Sequence, residues 1–225
     1  MKITRDQLKG WGACRDGYEL FLRRFPDGEA EYQDVLNALA EDDLPSDADW
    51  LMNNAGPDRE AVLEVEVIAD CKHLFAAGRL VIKNGAAVTG RLRAGWGIEA
   101  GWGIEAGEGI KAGEGIKAGW GINAGWGIEA GEGIKAGEGI EAGEGIKAGE
   151  GIKAGEGIEA GWGIEAGGSI EAGEGLGIFA GLRLRLADWS IYARVIAKTK
   201  PHNLVSGSWV EPAAEAPHQS QNGDR

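Results

Sequence analysis

The sequence predicts a mainly β protein: a parallel β-solenoid of triangular cross-section with about 18 residues per coil, an N-terminal α-helical cap and C-terminal β-strands. Three observations predict it. An apolar residue recurs at every sixth position over much of the chain. Forty of the 225 residues are Gly, and two of them occupy fixed positions in each repeat. Six is an even period, so a β-strand keeps the repeated apolar residues on one face through every repeat.

Residues 1–58 are predicted to form the helical cap. Thr4 is placed to cap a first helical turn, and Gly56-Pro57 is a stop signal. Between them, four apolar residues recur at the i, i+3, i+4, i+7 spacing of one helix face, namely Tyr32, Val35, Leu36 and Leu39. This part is too small to be a strong independent core, so we expect it to cover one end of the solenoid.

Residues 59–178 are predicted to form the solenoid. Alternation at Leu63, Val65 and Val67 indicates a strand, and from Gly95 the chain follows the hexad Ile-(Glu/Lys)-Ala-Gly-(Trp/Glu)-Gly. A helix is excluded because two Gly per repeat would cost it about 2 kcal/mol relative to Ala. Three hexads make a triangular coil, and a flattened coil of two hexads is the alternative. The expected body has about six coils. The predicted leading residues are Ile98, Ile104, Ile110, Ile116, Ile122, Ile128, Ile134, Ile140, Ile146, Ile152, Ile158, Ile164, Ile170 and Leu176.

Residues 179–199 leave the hexad and alternate instead, which predicts two longer, antiparallel strands that cap the last coil. An uncovered apolar end is prone to edge-to-edge pairing, so we expect a homodimer there. The predicted dimer contacts are Leu182, Leu184, Leu186, Trp189 and Ile191. Residues 200–225 are predicted to be a disordered tail.

Composition excludes several classes of function. A net charge of −13 argues against nucleic acid or an anionic membrane as a direct partner and leaves basic proteins open. Three His and two Cys are too few for a convincing metal site or disulfide framework, and the Gly tract lacks the spacing of a phosphate-binding loop. The glutamates recur with the repeat, so we expect neither an enzyme nor a cofactor. No apolar signal segment opens the chain, which predicts a cytoplasmic protein.

Two positions of the hexad vary, and their variation predicts a binding surface. Stacking the repeats at 18 residues gives three faces with net charges of −2, −2 and −6, and the third carries no Lys. Tryptophan adjoins the acid on this third face; its rings either point outward as anchors for a protein or fill the corners. The predicted partner-binding residues are Trp102, Glu105, Trp120, Glu138, Glu141, Glu156, Glu159 and Glu174.

Four segments of the first 58 residues resemble the N-terminal module of phage and prophage accessory proteins: Lys2–Leu8, Ala13-Cys14, Phe21–Gly28 and Asp49–Met52. The hexads resemble, more loosely, the β-helices of bactofilin-type proteins. Proteins of this phage class are often accessory genes, and some such proteins inhibit host defence, anti-CRISPR proteins among them. The resemblance therefore implies a phage-encoded protein that acts in the cytoplasm of a bacterial host.

Two functions from different classes follow. The first is a binding protein that presents its acidic, Trp-bearing face to a basic, nucleic-acid-binding host defence protein, as a mimic of DNA. The alternative is a self-assembling scaffold or virion accessory protein with no inhibitory role. A small-ligand sponge is a third, weaker hypothesis. The first predicts salt-sensitive binding to a basic partner, and the second predicts oligomers that persist at high salt.

Overall fold

The computed structural model describes residues 1–173 and 176–212. Its N-terminal part contains four helices and a small antiparallel sheet, and Thr4 and Gln7 form a reciprocal capping box at the first helix. The buried residues of these elements form their own core around Ile3, Phe21 and Leu36. The elements are β1 (Lys2–Thr4), α1 (Arg5–Gly10), α2 (Arg15–Arg24), β2 (Glu29–Glu31), α3 (Tyr32–Glu41) and α4 (Pro45–Ala55).

The rest is a parallel β-solenoid of about eight coils with three sheets. The first sheet contains β3 (Val62–Val65), β6 (Arg79–Ile82), β9 (Ile98–Ala100), β12 (Ile116–Ala118), β15 (Ile134–Ala136), β18 (Ile152–Ala154) and β21 (Ile170–Glu171). The second contains β5 (Leu74–Ala76), β8 (Leu92–Ala94), β11 (Ile110–Ala112), β14 (Ile128–Ala130), β17 (Ile146–Ala148), β20 (Ile164–Ala166), β23 (Arg194–Ile196) and β25 (Ser208–Val210). The third contains β4 (Ile68–Cys71), β7 (Ala86–Val88), β10 (Ile104–Ala106), β13 (Ile122–Ala124), β16 (Ile140–Ala142), β19 (Ile158–Ala160), β22 (Ile178–Phe179) and β24 (Leu204–Ser206).

The register confirms the triangular coil. Ile104 pairs with Ile122 and Ile122 with Ile140, so each strand of the exact repeat meets the one three hexads later, and the flattened alternative is wrong. In the hexads from Ile98 to Ala166, the leading Ile and the following Ala point inward and are buried, whereas the residue between them faces solvent. Burial of this Ile/Ala stack, together with the ladders between coils, holds the solenoid together.

The two glycines of the hexad have different roles at the corners. A Cβ on the first of them, Gly137, would lie 1.9 Å from the backbone oxygen of Gly119 in the preceding coil. A Cβ on the second, Gly139, would lie 3.5 Å from the Gly157 oxygen, which is an ordinary contact. Close approach of consecutive coils therefore requires the first glycine, while the second position accepts Ser169.

The C-terminal region differs from the prediction. Instead of two long antiparallel strands, the short β22 and β23 pair in parallel with β19 and β20. Between them Gly181 turns the chain at a φ of +83°, and the chain leaves the solenoid through a 3-10 turn at Leu186–Asp188 and the short helix α5 (Trp189–Tyr192). The predicted tail is wrong for part of its length, because β24 and β25 add strands to the third and second sheets; residues 213–225 lie outside the described residues. The strands β23 to β25, together with β3 and β4, lie outside the predicted repeats and explain why about eight coils form instead of six.

The helical part covers the N-terminal end of the solenoid through polar and apolar contacts. The Gln33 side chain donates to the Phe75 carbonyl at 2.7 Å and accepts from the Ala77 amide at 2.9 Å. Phe75 and Ala77 belong to the core of the helical part. Asp49 accepts from Arg91 at 2.6 Å and also pairs with Arg93, which ties α4 to the second sheet.

Candidate protein-binding face

The third face of the solenoid is built from two columns of residues, one at a corner and one on the strands. The strand column consists of the outward residues between the buried Ile and Ala. The corner column consists of the residues between the two glycines of each hexad. Together they form what we call the acidic-Trp face: Trp102, Trp120, Glu138 and Glu156 at the corner, and Glu105, Asn123, Glu141 and Glu159 on the strands.

The tryptophans of this face point outward. Trp102 is 49% exposed and Trp120 is 52% exposed. Their rings stack with centroids 5.2 Å apart and planes 8° apart, close to the rise of one coil. Of the two orientations left open by the sequence, the structure therefore has the anchor orientation. The stack presents apolar surface beside acidic side chains, as the aromatic residues of protein interfaces commonly do.

The acidic residues of the other two faces are partly neutralised by lysines one coil away. On the second face Lys111 lies 2.8 Å from Glu129 and Lys147 lies 3.3 Å from Glu165. On the first face the Lys153 ammonium lies 2.9 Å from Glu171, and its hydrogen bond lowers the pKa of that carboxyl. The alternation of Lys and Glu along these columns thus produces cross-strand ion pairs.

The acidic-Trp face has no such compensation. In residues 1–173 and 176–212, no Lys, Arg or His nitrogen lies within 4.0 Å of a carboxylate of Glu105, Glu138, Glu141, Glu156 or Glu159. The nearest polar contact is a weak one from the Asn123 amide to Glu141 at 3.5 Å. Glu141 and Glu159 are register partners, so their carboxylates project from adjacent coils about 4.8 Å apart. Like charges at this spacing repel each other, and a cation that binds between them relieves the repulsion.

One predicted member of this face cannot be placed on it. Glu174 lies outside the described residues. The hexad places it after Glu156 in the corner column, but Ile158 pairs with Ile178, so Leu176 takes that place. The prediction of Leu176 as a buried leading residue is wrong for the same reason: Ile178 is buried, whereas Leu176 is 49% exposed.

Sequence reasoning missed the apolar residues at the N-terminal end of the face. Val67, Ala87, Trp102 and Trp120 line one trough with Glu105, Asn123 and Glu138. Val67 is 58% exposed. Extending the 18-residue stacking backward from Glu105 would have found Ala87, whereas Val67 lies in a coil whose repeat is degenerate.

The predicted dimer contacts fall into two groups. Leu182, Leu186 and Ile191 are 52%, 84% and 60% exposed. Leu184 and Trp189 are half-buried instead, and the Trp189 ring packs against the backbone of Gly181. The exposed group lies on the excursion between β22 and β23, at the end of the solenoid opposite to the helical part.

Comparison with known proteins identifies only the helical part. Residues 1–55, which end with α4, match the family model of the YdhT N-terminal domain. No curated protein matches the chain. No solved structure matches it either. Of the resemblances inferred from the sequence, the comparisons support an N-terminal domain of the YdhT type, and the structure supports the β-solenoid fold.

The described part of the chain, residues 1–173 and 176–212, offers neither a metal site nor a membrane-spanning helix. No three His, Cys, Asp or Glu side chains are grouped there so as to hold a metal ion. None of the helices there has the length and apolar character needed to cross a bilayer.

Proposed function

We propose that the chain is a binding protein that presents the acidic-Trp face to a basic, nucleic-acid-binding protein and occupies the surface on which that partner holds DNA or RNA. One observation carries this proposal: on the strands of the first and second faces Lys111, Lys147 and Lys153 each pair with a glutamate one coil away, whereas the glutamates of the third face have no cationic partner among the described residues and adjoin two exposed, stacked tryptophans. A surface with no partner would gain stability from the same pairing.

The charge density of the face supports mimicry of a nucleic acid. Where a coil carries both a corner and a strand carboxylate, as at Glu138/Glu141 and Glu156/Glu159, there is one charge for about every 2.4 Å of the solenoid axis, given a rise of about 4.8 Å. Duplex DNA carries one for about every 1.7 Å. A basic groove would therefore meet a comparable field, and the tryptophans would add desolvated contact area that DNA does not offer.

The sequence resemblance to phage and prophage proteins extends the proposal to the kind of partner. We propose a component of a bacterial defence system, bound inside the host cell, with the solenoid acting by occupation and not by catalysis. No cofactor enters this mechanism, because the binding energy comes from ion pairing and aromatic contact alone.

The test is comparative capture from a bacterial lysate with wild type and two charge-reversed variants. The first carries Glu138, Glu141, Glu156 and Glu159 changed to Lys. The matched variant, with the same change in net charge on the first face, carries Lys at Glu114, Glu132, Glu150 and Glu171. A basic partner retained by wild type and the matched variant, lost with the first variant and released by duplex DNA supports the proposal. Equal losses from both variants, or none from either, would overturn it.

Among the described residues no element covers the C-terminal end of the solenoid, which favours self-association as a second role. The helical part covers one end of the solenoid, so a head-to-tail filament is disfavoured and a symmetric pair through the other end is the closed alternative. At that end β21, β24 and β25 are the edge strands of the three sheets, and Leu182, Leu186 and Ile191 on the preceding excursion are exposed. We propose a homodimer through this end.

Changing both Leu186 and Ile191 to Glu should convert the dimer to a monomer in sedimentation at micromolar concentration. The control carries Glu at the exposed Val62 and Val67, near the covered end, and should leave the mass unchanged. A wild-type monomer would contradict the proposed dimer.

A further inference from the structure

An arginine of the chain already occupies a site made of Trp and Glu at one solenoid corner. Glu108 and Trp126 follow each other in the corner column between the third and second sheets. The guanidinium carbon of Arg91 lies 5.5 Å from the centroid of the Trp126 ring, and its Nε donates to the Glu108 carboxylate at 2.9 Å. The guanidinium is thus held by a ring face and a carboxylate together, which is a favourable environment for this group.

A second corner tryptophan has an arginine over its ring, and a third corner has one against its backbone. Arg59 lies over the Trp96 ring, 5.2 Å from its centroid, at the corner that leads into the first sheet. Arg183 lies against the backbone of Gly143 and Gly161, the residues that precede Glu144 and Trp162. Within the described residues, no arginine or lysine lies over the corner rings of Trp102, Trp120 or Trp162, and among these only Trp102 and Trp120 stack on each other.

The Trp120 ring and Glu138 place the same two residue types on successive coils, in the reverse order and without an occupant. Trp102 covers one face of the Trp120 ring, so the opposite face is turned toward the next coil, where Glu138 occupies the same corner position. The Glu138 amide donates to the Trp120 carbonyl at 3.3 Å, and both side chains line one trough. Glu138 has no cationic partner in the described chain, and Trp120 is 52% exposed.

We propose that Trp120 and Glu138 form a subsite for the guanidinium group of an arginine side chain on a partner protein, with Trp102 holding the Trp120 ring in place. The inference rests on the proposed function and names the chemistry that the face recognises. Arginine is favoured over lysine because its planar cation stacks on the ring while its N–H groups bond the carboxylate; a lysine ammonium is more strongly hydrated and lacks this geometry.

The experiment compares two fluorescein-labelled peptides of equal charge, octa-arginine and octa-lysine, by fluorescence anisotropy on the full chain. Wild type should bind octa-arginine about two- to fivefold more tightly than an otherwise equal ammonium peptide, the range that corresponds to a cation–π contact at an exposed site. Trp120→Leu removes the aromatic ring, so the ratio of the affinities for octa-arginine and octa-lysine should fall to the value that ion pairing with the carboxylates alone produces. Glu138→Gln should weaken octa-arginine more than octa-lysine.

Control variants at an occupied corner separate the subsite from general effects. Trp126→Leu and Glu108→Gln change the same residue types around Arg91, which already occupies that corner, and should leave the preference unchanged. An unchanged preference in Trp120→Leu, or an equal loss in Trp126→Leu, would overturn the subsite while leaving the acidic-Trp face as the binding surface. Failure of wild type to bind either peptide would instead overturn the proposed function. Urea unfolding of each variant verifies the fold, since changes at exposed positions normally alter stability by less than about 0.5 kcal/mol.

Discussion

Substitution by Ala should affect stability very differently at the two glycines of a single hexad. Gly137→Ala places a Cβ 1.9 Å from the Gly119 oxygen, and real Cβ contacts are not shorter than 3.0 Å, so the two coils must separate locally by about 1 Å. The neighbouring inter-coil hydrogen bonds, from the amides of Gly137 and Glu138 to the Trp120 carbonyl, are already 3.1 and 3.3 Å long. The separation would break them.

The expected cost follows from those losses. Two backbone hydrogen bonds contribute about 1 kcal/mol each, and the packing lost beneath the opened corner adds a similar amount, so Gly137→Ala should destabilise by roughly 3 kcal/mol. Gly139→Ala adds a Cβ in ordinary contact 3.5 Å from the nearest atom. It also reduces the freedom of the unfolded chain, so its effect should lie within about 1 kcal/mol of zero.

Urea unfolding followed by far-UV circular dichroism measures both variants. Because a solenoid can open coil by coil, hydrogen exchange of the peptides on either side of the corner supplies the local readout. Gly137→Ala should lower the midpoint and deprotect the amides around the opened corner, and Gly139→Ala should do neither. Equal effects of the two variants would refute the distinction between the glycines, and with it the corner geometry.

Three further predictions concern burial, the junction and pH. Ile134→Asp buries an unpaired carboxylate, so it should lower the free energy of unfolding in urea by more than about 4 kcal/mol. Lys135→Asp, at the exposed neighbouring position, should leave the stability nearly unchanged. Similar losses in the two variants would contradict the inward placement of Ile134. Asp49→Asn removes the ion pairs that join α4 to Arg91 and Arg93 of the solenoid. It should speed limited proteolysis of residues 1–55 without altering amide hydrogen exchange in the solenoid. An unchanged rate of cleavage would exclude a role for these ion pairs in holding the helical part. The hydrogen bond from the Met1 amino group lowers the pKa of the Asp58 carboxyl in the folded protein. The ionised carboxylate therefore stabilises the fold above the ordinary pKa of about 3.9, and this stabilisation is lost as the pH falls through the lower pKa of the folded state. Asp58→Asn should make the free energy of unfolding depend less on pH in this acidic range.

The exact hexads predicted the solenoid well because their period fixes both which side chains point inward and which strands pair between coils. Ile104, Ile122 and Ile140 stack as the 18-residue spacing requires, and the charge columns on each face follow from it. The prediction failed where the spacing changes: Ile158 pairs with Ile178, and Ile164 with Val195. A sequence period does not reveal where the chain leaves the solenoid between two strands. The residues between β22 and β23 alternate as strand residues do, although they form a 3-10 turn and a short helix.

The orientation of the tryptophans could not be predicted for a different reason. Corner positions lie outside the alternation that assigns strand residues to a face, so the hexad leaves a corner ring free to point either way. The structure decides the matter by stacking Trp102 on Trp120 in solvent. The arginines at the other corners were equally hidden, because Arg59 and Arg183 reach them from outside the exact repeat.

The central claim is that the acidic-Trp face, and not the overall charge of the chain, binds a basic partner. The most direct measurement is the affinity of octa-lysine for wild type and for the two quadruple Glu→Lys variants as a function of salt. Reversal of Glu138, Glu141, Glu156 and Glu159 should weaken binding roughly tenfold or more and flatten the salt dependence, because like charges then face the peptide. The matched first-face variant should retain most of the affinity. Equal weakening by both variants would contradict the account and reduce the interaction to net charge.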